Sequence, residues 1–252
     1  MYNLDMKLKN KFAVVTGAST GIGREISIAL GKEGGFIALV ARSKGPLLET
    51  KNLVEKAGGG AEIFPTDLAQ IDSVNNLVRE IKKIAKKVDF LLNVAGIWHG
   101  VNEVYADKNF ESFSQKVILD TFMVGTIMPT LLTHAFIPLM PKGARIINLS
   151  GTFESGAKGW LPYFVSKRAI EDLTIGLSQE LERKNISVNA VSPSDTATEA
   201  YHKYFPQYIK DAIDPNEIAK FVIHLCSVEA DGITGKVFVL KKNQRPFERF
   251  HY

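Results

Sequence analysis

The sequence contains a single cysteine, Cys226, in 252 residues, so no intramolecular disulfide can form. This excludes a disulfide-scaffolded secreted fold and fits a reducing compartment. Cys226 lies in the apolar run FVIHLCSV, which reads as a buried helix face rather than a reactive thiol. No uninterrupted apolar run approaches the roughly 20 residues a membrane helix needs, and the opening MYNLDMKLKNK lacks the apolar core of a signal peptide. A cytoplasmic location is therefore expected, with no membrane partner. Charge of one sign is also scarce, the net charge being +4. Its densest part, Lys82-Lys83 and Lys86-Lys87, recurs at helical spacing among Ile81, Ile84 and Val88, the pattern of a solvated helix face. Basic residues are not interleaved with aromatics, so no nucleic acid is expected as a partner. His99 and His202 do not form a ligand set with metal-site spacing, and no catalytic metal is expected. There is no internal repeat, low-complexity segment or Pro/Gly/Ser linker, which predicts one domain over residues 1–252.

What is present is a regular alternation. Short β-branched or aromatic runs at 12–16, 36–40, 61–65, 90–94, 145–149, 187–191 and 236–240 are separated by helical patterns. The helical patterns include 24–32, 73–87, 110–139, 164–184 and 216–227. Parallel neighbours need crossover helices, so the order predicts an α/β, doubly wound Rossmann-type fold with a seven-stranded parallel sheet and helices on both faces. Ligands bind such sheets beyond the carboxyl ends of the strands, which marks the residues following each run.

After the first run comes Thr16-Gly17-Ala18-Ser19-Thr20-Gly21-Ile22-Gly23-Arg24, leading into a helix. Glycines permit the tight turn and close backbone approach, and the helix N-terminus offers free N–H groups to a pyrophosphate. A dinucleotide is the expected ligand. After the second run the chain reads Ala41-Arg42-Ser43-Lys44, with two cations and no acid to hold a ribose 2′-hydroxyl. Arginine pairs bidentately with phosphate, so NADP(H) is expected in preference to NAD(H).

Tyr163 and Lys167 stand four residues apart, on one helical face. A free phenol is a poor base at neutral pH, and a neighbouring ammonium together with an oxidised nicotinamide favours its phenolate. In the reductive direction the same phenol protonates a substrate oxygen.

Together these motifs resemble the short-chain dehydrogenase/reductase family over nearly the whole chain. Thr16–Gly23 is similar to its TGxxxGxG loop, Asp67-Leu68 to its adenine-contacting segment, and Asn93-Val94-Ala95-Gly96 to its NAG motif. Tyr163–Lys167 matches YxxxK, and residues 189–198, with Pro193, Ser194, Thr196 and Thr198, resemble the segment beside the nicotinamide. The resemblance implies that Lys167 also holds the nicotinamide ribose, and that the long helices pair into a homodimer or homotetramer. It further implies a hydroxyl on the substrate oxygen. Ser150, thirteen residues before Tyr163, has the family's separation and is the expected group, with Thr152 as a substitute hydroxyl, although strand register places the family's usual second serine at Gly151.

Three departures stand out. Phe122 occupies the position of the family's relay asparagine, three residues ahead of Gly125, and phenylalanine has no side-chain hydrogen bond to offer. Pro193-Ser194 replaces Pro-Gly. A basic, aromatic tail at about 241–252 replaces the closing Gly-Gly turn, reading either as an interface segment or as disorder. Trp98, His99, Phe153, Trp160 and the aromatic run in a substrate loop at about 196–214 could line an apolar pocket. The expected activity is carbonyl reduction, or secondary-alcohol oxidation, by hydride transfer. The alternative is a catalytically degenerate NADP(H)-binding sensor or structural protein of the same fold.

Overall fold

The structure, a computed structural model, describes residues 8–154 and 156–252. The β-branched run after Lys11 forms β1 (Phe12–Thr16), and the glycine loop leads into α1 (Gly21–Lys32). There follow β2 (Phe36–Ala41), α2 (Lys44–Lys56), β3 (Gly60–Pro65), α3 (Ile71–Ile84) and β4 (Phe90–Asn93). The second half contains α4 (Gln115–Phe122), α5 (Met128–Phe136), β5 (Arg145–Leu149), α6 (Leu161–Glu180) and β6 (Ser187–Pro193). It closes with α7 (Glu199–Tyr204), α8 (Pro215–Cys226), β7 (Lys236–Leu240) and β8 (Phe247–Glu248).

The strand order is β3-β2-β1-β4-β5-β6-β7-β8. Every pairing is parallel except β7 with β8. The expected seven-stranded sheet is therefore corrected to eight strands with an antiparallel edge. Strand alternation splits the core between the two faces. Ala13 and Val15 pack with Leu30 of α1 and Val222 of α8, while Val14 packs with Leu77 of α3 and Leu132 of α5. Cys226 is in the first of these clusters, where burial pushes its thiol up to about 12.

The strand order reverses between β1 and β4, with successive strands added outward on either side, and this opens a crevice at their carboxyl ends. Thr16 braces it. Its buried Oγ1 accepts from the Val94 and Ala95 N–H groups at 3.0 and 3.2 Å and lies 3.3 Å from the Leu92 carbonyl.

The expected single helix over 110–139 is broken into α4, a π-helical turn at Met123–Ile127, and α5. Phe122 ends α4 just before that turn, and Gly125 meets Ser166 of α6, where a Cβ would lie 2.9 Å from the serine Oγ. The combined stretch Gln115–Leu139 is long and apolar enough to cross a membrane by length and composition. Here Met128, Leu132 and Phe136 are buried against the sheet, while Leu119, Ile127 and Leu131 face outward. The tail, read as interface or disorder, folds back on its own chain through β8.

Thr16→Val keeps the shape of the side chain but leaves two buried N–H groups without an acceptor. Unfolding in urea should show a stability loss of about 2 kcal/mol or more, with the slope of the transition unchanged.

Candidate active site

The glycine loop turns so tightly because two of its residues tolerate no side chain. Gly17 has φ +69°, and a Cβ on Gly23 would lie 2.2 Å from the Gly17 carbonyl oxygen. Beyond this loop lies a cleft of about 340 Å³ over the crevice between β1 and β4. All the loop residues expected to bind a cofactor line it: Gly17, Ser19, Thr20, Gly21, Ile22 and Gly23. Arg42, Ser43, Asp67, Leu68, Ala95, Gly96, Tyr163, Lys167 and Thr198 line it too. A glycine cradle at a helix N-terminus, an exposed arginine after β2 and a tyrosine–lysine pair at the inner end fit a dinucleotide.

Four expected cofactor residues are not brought to this cleft. Asn93 is buried between strands, donating through Nδ2 to Asn148 Oδ1 at 2.8 Å, and Asn148 donates in turn to Thr174 of α6. It braces β4, β5 and α6. Pro193, Ser194 and Thr196 line a second cavity of about 650 Å³ instead. The cleft and cavity share Ile22, Trp98, Leu149, Tyr163 and Thr198, so Tyr163 stands where they meet.

Helix α6 places Tyr163 and Lys167 on one face, with the lysine Nζ 5.4 Å from the centre of the tyrosine ring. Lys167 is almost fully buried and donates to the Leu149 carbonyl at the end of β5, at 2.6 Å. Burial lowers its pKa to about 8, partly opposed by the Glu171 carboxylate. The missing side chain at Gly96 makes room, since a Cβ there would lie 3.3 Å from Nζ. Burial also raises the Tyr163 phenol above its ordinary range. The expected lowering belongs to the site with an oxidised nicotinamide beside the phenol; among the protein's own groups, burial is what acts on it.

Ser150, the expected substrate hydroxyl, is held by a partner of its own. It borders the second cavity, but its buried hydroxyl donates to Glu171 Oε1 at 2.6 Å, with the Lys167 carbonyl 3.1 Å away. Gly151 and Thr152 border the same cavity.

Glu171 escaped the sequence reading, although Tyr163, Lys167 and Glu171 repeat every four residues and so share a helical face. Its buried carboxylate receives the Ser150 hydroxyl, the His251 N–H at 2.7 Å and the Arg168 guanidinium at 3.4 Å. Arg168 reaches the Tyr252 carbonyl at 2.5 Å and packs on the rings of Phe153 and Phe164. The Phe153 N–H donates to the same carbonyl at 3.2 Å. The tail is thus tied both to α6 and to the loop after β5. Glu199, also missed, accepts from the Gly21 N–H at 3.1 Å, at the start of α1. Its sequence signal was an acid directly after Thr198.

A doubly wound sheet with a glycine cradle at its switch point and a tyrosine–lysine pair at the cradle's inner end defines a dinucleotide-dependent oxidoreductase. The chain matches the short chain dehydrogenase family over residues 11–209, and it belongs to that family. It is 31% identical over 226 residues to a fatty acyl-CoA reductase of Acinetobacter baylyi, covering 86% of this chain and 73% of the relative. It is 29% identical over 245 residues to a 7alpha-hydroxysteroid dehydrogenase of Clostridium sardiniense, covering 92% of each. The solved structure of the angucycline C-6 ketoreductase LanV with bound NADP superposes with a TM-score of 0.83 at 28% identity, covering 92% of this chain and 95% of that one. The family's members bind a nicotinamide cofactor and act on small molecules.

Glu171→Ala strips the Arg168 guanidinium, the Ser150 hydroxyl and the His251 N–H of a shared acceptor. A loss of about 3 kcal/mol is expected in chemical denaturation. Amide exchange should quicken at residues 247–252 before it does in β5.

Proposed function

We propose that the protein is an NADP(H)-dependent carbonyl reductase, reversible as a secondary-alcohol dehydrogenase, with Tyr163 as acid and base. The position of Tyr163 at the junction of the cofactor cleft and the second cavity carries this reading. The nicotinamide cofactor, when bound, supplies or accepts the hydride. Tyr163 holds the proton that passes to the carbonyl oxygen, and its desolvated phenol remains protonated until that transfer. Lys167, cationic below its pKa of about 8, favours the phenolate that the transfer leaves behind. Thr152 is the hydroxyl available to steady the substrate oxygen in place of Ser150. Arg42, exposed at the end of β2 in the cleft, is the reader of a 2′-phosphate. The NADP named in the LanV structure supports the same choice of cofactor. The outward Leu119, Ile127 and Leu131, with Leu161 and Val165 of α6, support assembly as a homodimer or homotetramer.

A titration with NADPH and NADH, followed by oxidation of the bound cofactor against a panel of carbonyl compounds, tests the reading. Arg42→Ala should weaken NADPH about tenfold or more while leaving NADH nearly unaffected. Tyr163→Phe should bind NADPH normally and lose at least about a hundredfold in kcat. Normal turnover by Tyr163→Phe would remove the tyrosine from the chemistry. NADPH binding without turnover of any carbonyl would favour the degenerate sensor.

The pH profile follows from Lys167. Its charged form is the one that stabilises the phenolate, and burial lowers its pKa to about 8. With saturating NADPH, kcat/KM for reduction should be level on the acid side and fall as pH rises through about 8. That alkaline limb should be missing in Lys167→Met.

A further inference from the structure

The cavity beyond Tyr163 has an unusual wall. Trp98, Phe153, Trp160, Tyr201, Phe205 and Tyr208 line it, brought together from the loops after β4, β5 and β6. These rings support one another instead of each filling a separate gap in the core. Phe205 is the hub, with ring centres 6.1 Å from Trp98, 6.0 Å from Trp160, 5.2 Å from Tyr201 and 6.5 Å from Tyr208. The planes of all four lie within 38° of that of Phe205. Trp160 continues the wall to Tyr163, whose ring is 6.2 Å away.

Resting on the reductase reading above, we infer that the substrate is a planar fused-ring ketone that stacks on this wall with its carbonyl toward Tyr163. Rings tilted by 30–38° from Phe205 form a broad aromatic surface that rewards a rigid flat ligand, which loses little conformational freedom on binding. A flexible acyl chain would cover the same surface while giving up its rotamer freedom. The cavity, at about 650 Å³, is in the range that holds ligands of several rings. Its charges point the same way. Asp107, Glu154 and Asp195 line it against Lys158 alone, and Glu154 is already paired with Lys241 at 2.6 Å. Among the described residues a phosphate-bearing acyl thioester finds one exposed lysine against three carboxylates there, whereas ring hydroxyls find carboxylate acceptors.

Trp98 and Trp160 are the only tryptophans in the sequence and both line the cavity, so indole emission reports its occupancy directly. The test compares two ten-carbon ketones, bicyclic α-tetralone and linear methyl octyl ketone, on the NADPH-loaded protein. Emission is corrected for absorption by the ketone. α-Tetralone should quench the indoles and show kcat/KM about tenfold or more above that of the linear ketone. Phe205→Leu should erase that preference through KM. Its NADPH affinity should be unchanged, because Phe205 lies outside the cofactor cleft. Quenching by α-tetralone without turnover would still support the fused-ring inference and would count against the hydride chemistry instead. Equal handling of the two ketones, or preference for the linear one, would overturn the inference, even with NADPH bound and oxidised.

Discussion

Burying a charged ammonium is costly unless an acceptor is fixed in place for it, and the centre of this protein is arranged around one such group. Lys167 reaches the interior because Gly96 leaves space beside it and because β5 ends with the Leu149 carbonyl aimed at Nζ. Both conditions depend on register. The Leu149 carbonyl is where it is because β5 is held between β4 and β6. Gly96 is where it is because Thr16 binds the backbone turning out of β4. Shift either strand by one residue and the lysine loses its partner or its room. The same lysine fixes the height of Tyr163 one helical turn away, so the phenol at the junction of cleft and cavity inherits its position from the sheet.

Much of this was written in the sequence in local terms. The runs 12–16, 145–149 and 236–240 are β-branched or apolar and bounded by turn residues, and they became strands over those same residues. The glycine loop was equally legible, since its conformation is a local matter. What was not legible depends on distant partners. Helix α2 begins with Lys-Gly-Pro and carries few apolar residues, so its periodicity is faint until Leu47 and Val54 meet the core. Strand β8 has two residues and exists only because β7 lies beside it. The π-helical turn sits in an apolar run whose composition gives no hint of an inserted residue.

The candidate site divides in the same way. Residues of the cradle and the tyrosine–lysine pair could be named from their spacing. Asn93, Pro193, Ser194 and Thr196 were placed by resemblance, but side-chain direction sent the first into the strands and the others into the neighbouring cavity. At Ser150 the count of residues reaches the cavity wall, but it could not show that the buried Glu171 takes the hydroxyl.

Glu199 occupies a donor that the glycine cradle would otherwise offer to a ligand. Its carboxylate holds the Gly21 N–H at the start of α1, and it opens α7, whose Tyr201 walls the aromatic cavity. An anionic ligand that claims that donor must displace the glutamate side chain, which also pairs with Arg24 at 3.6 Å. Whatever the first ligand does to the shape of the second cavity, the second ligand does to the affinity of the first, by the same factor. One surface carboxylate thus stands between the cradle and the element that walls the neighbouring cavity.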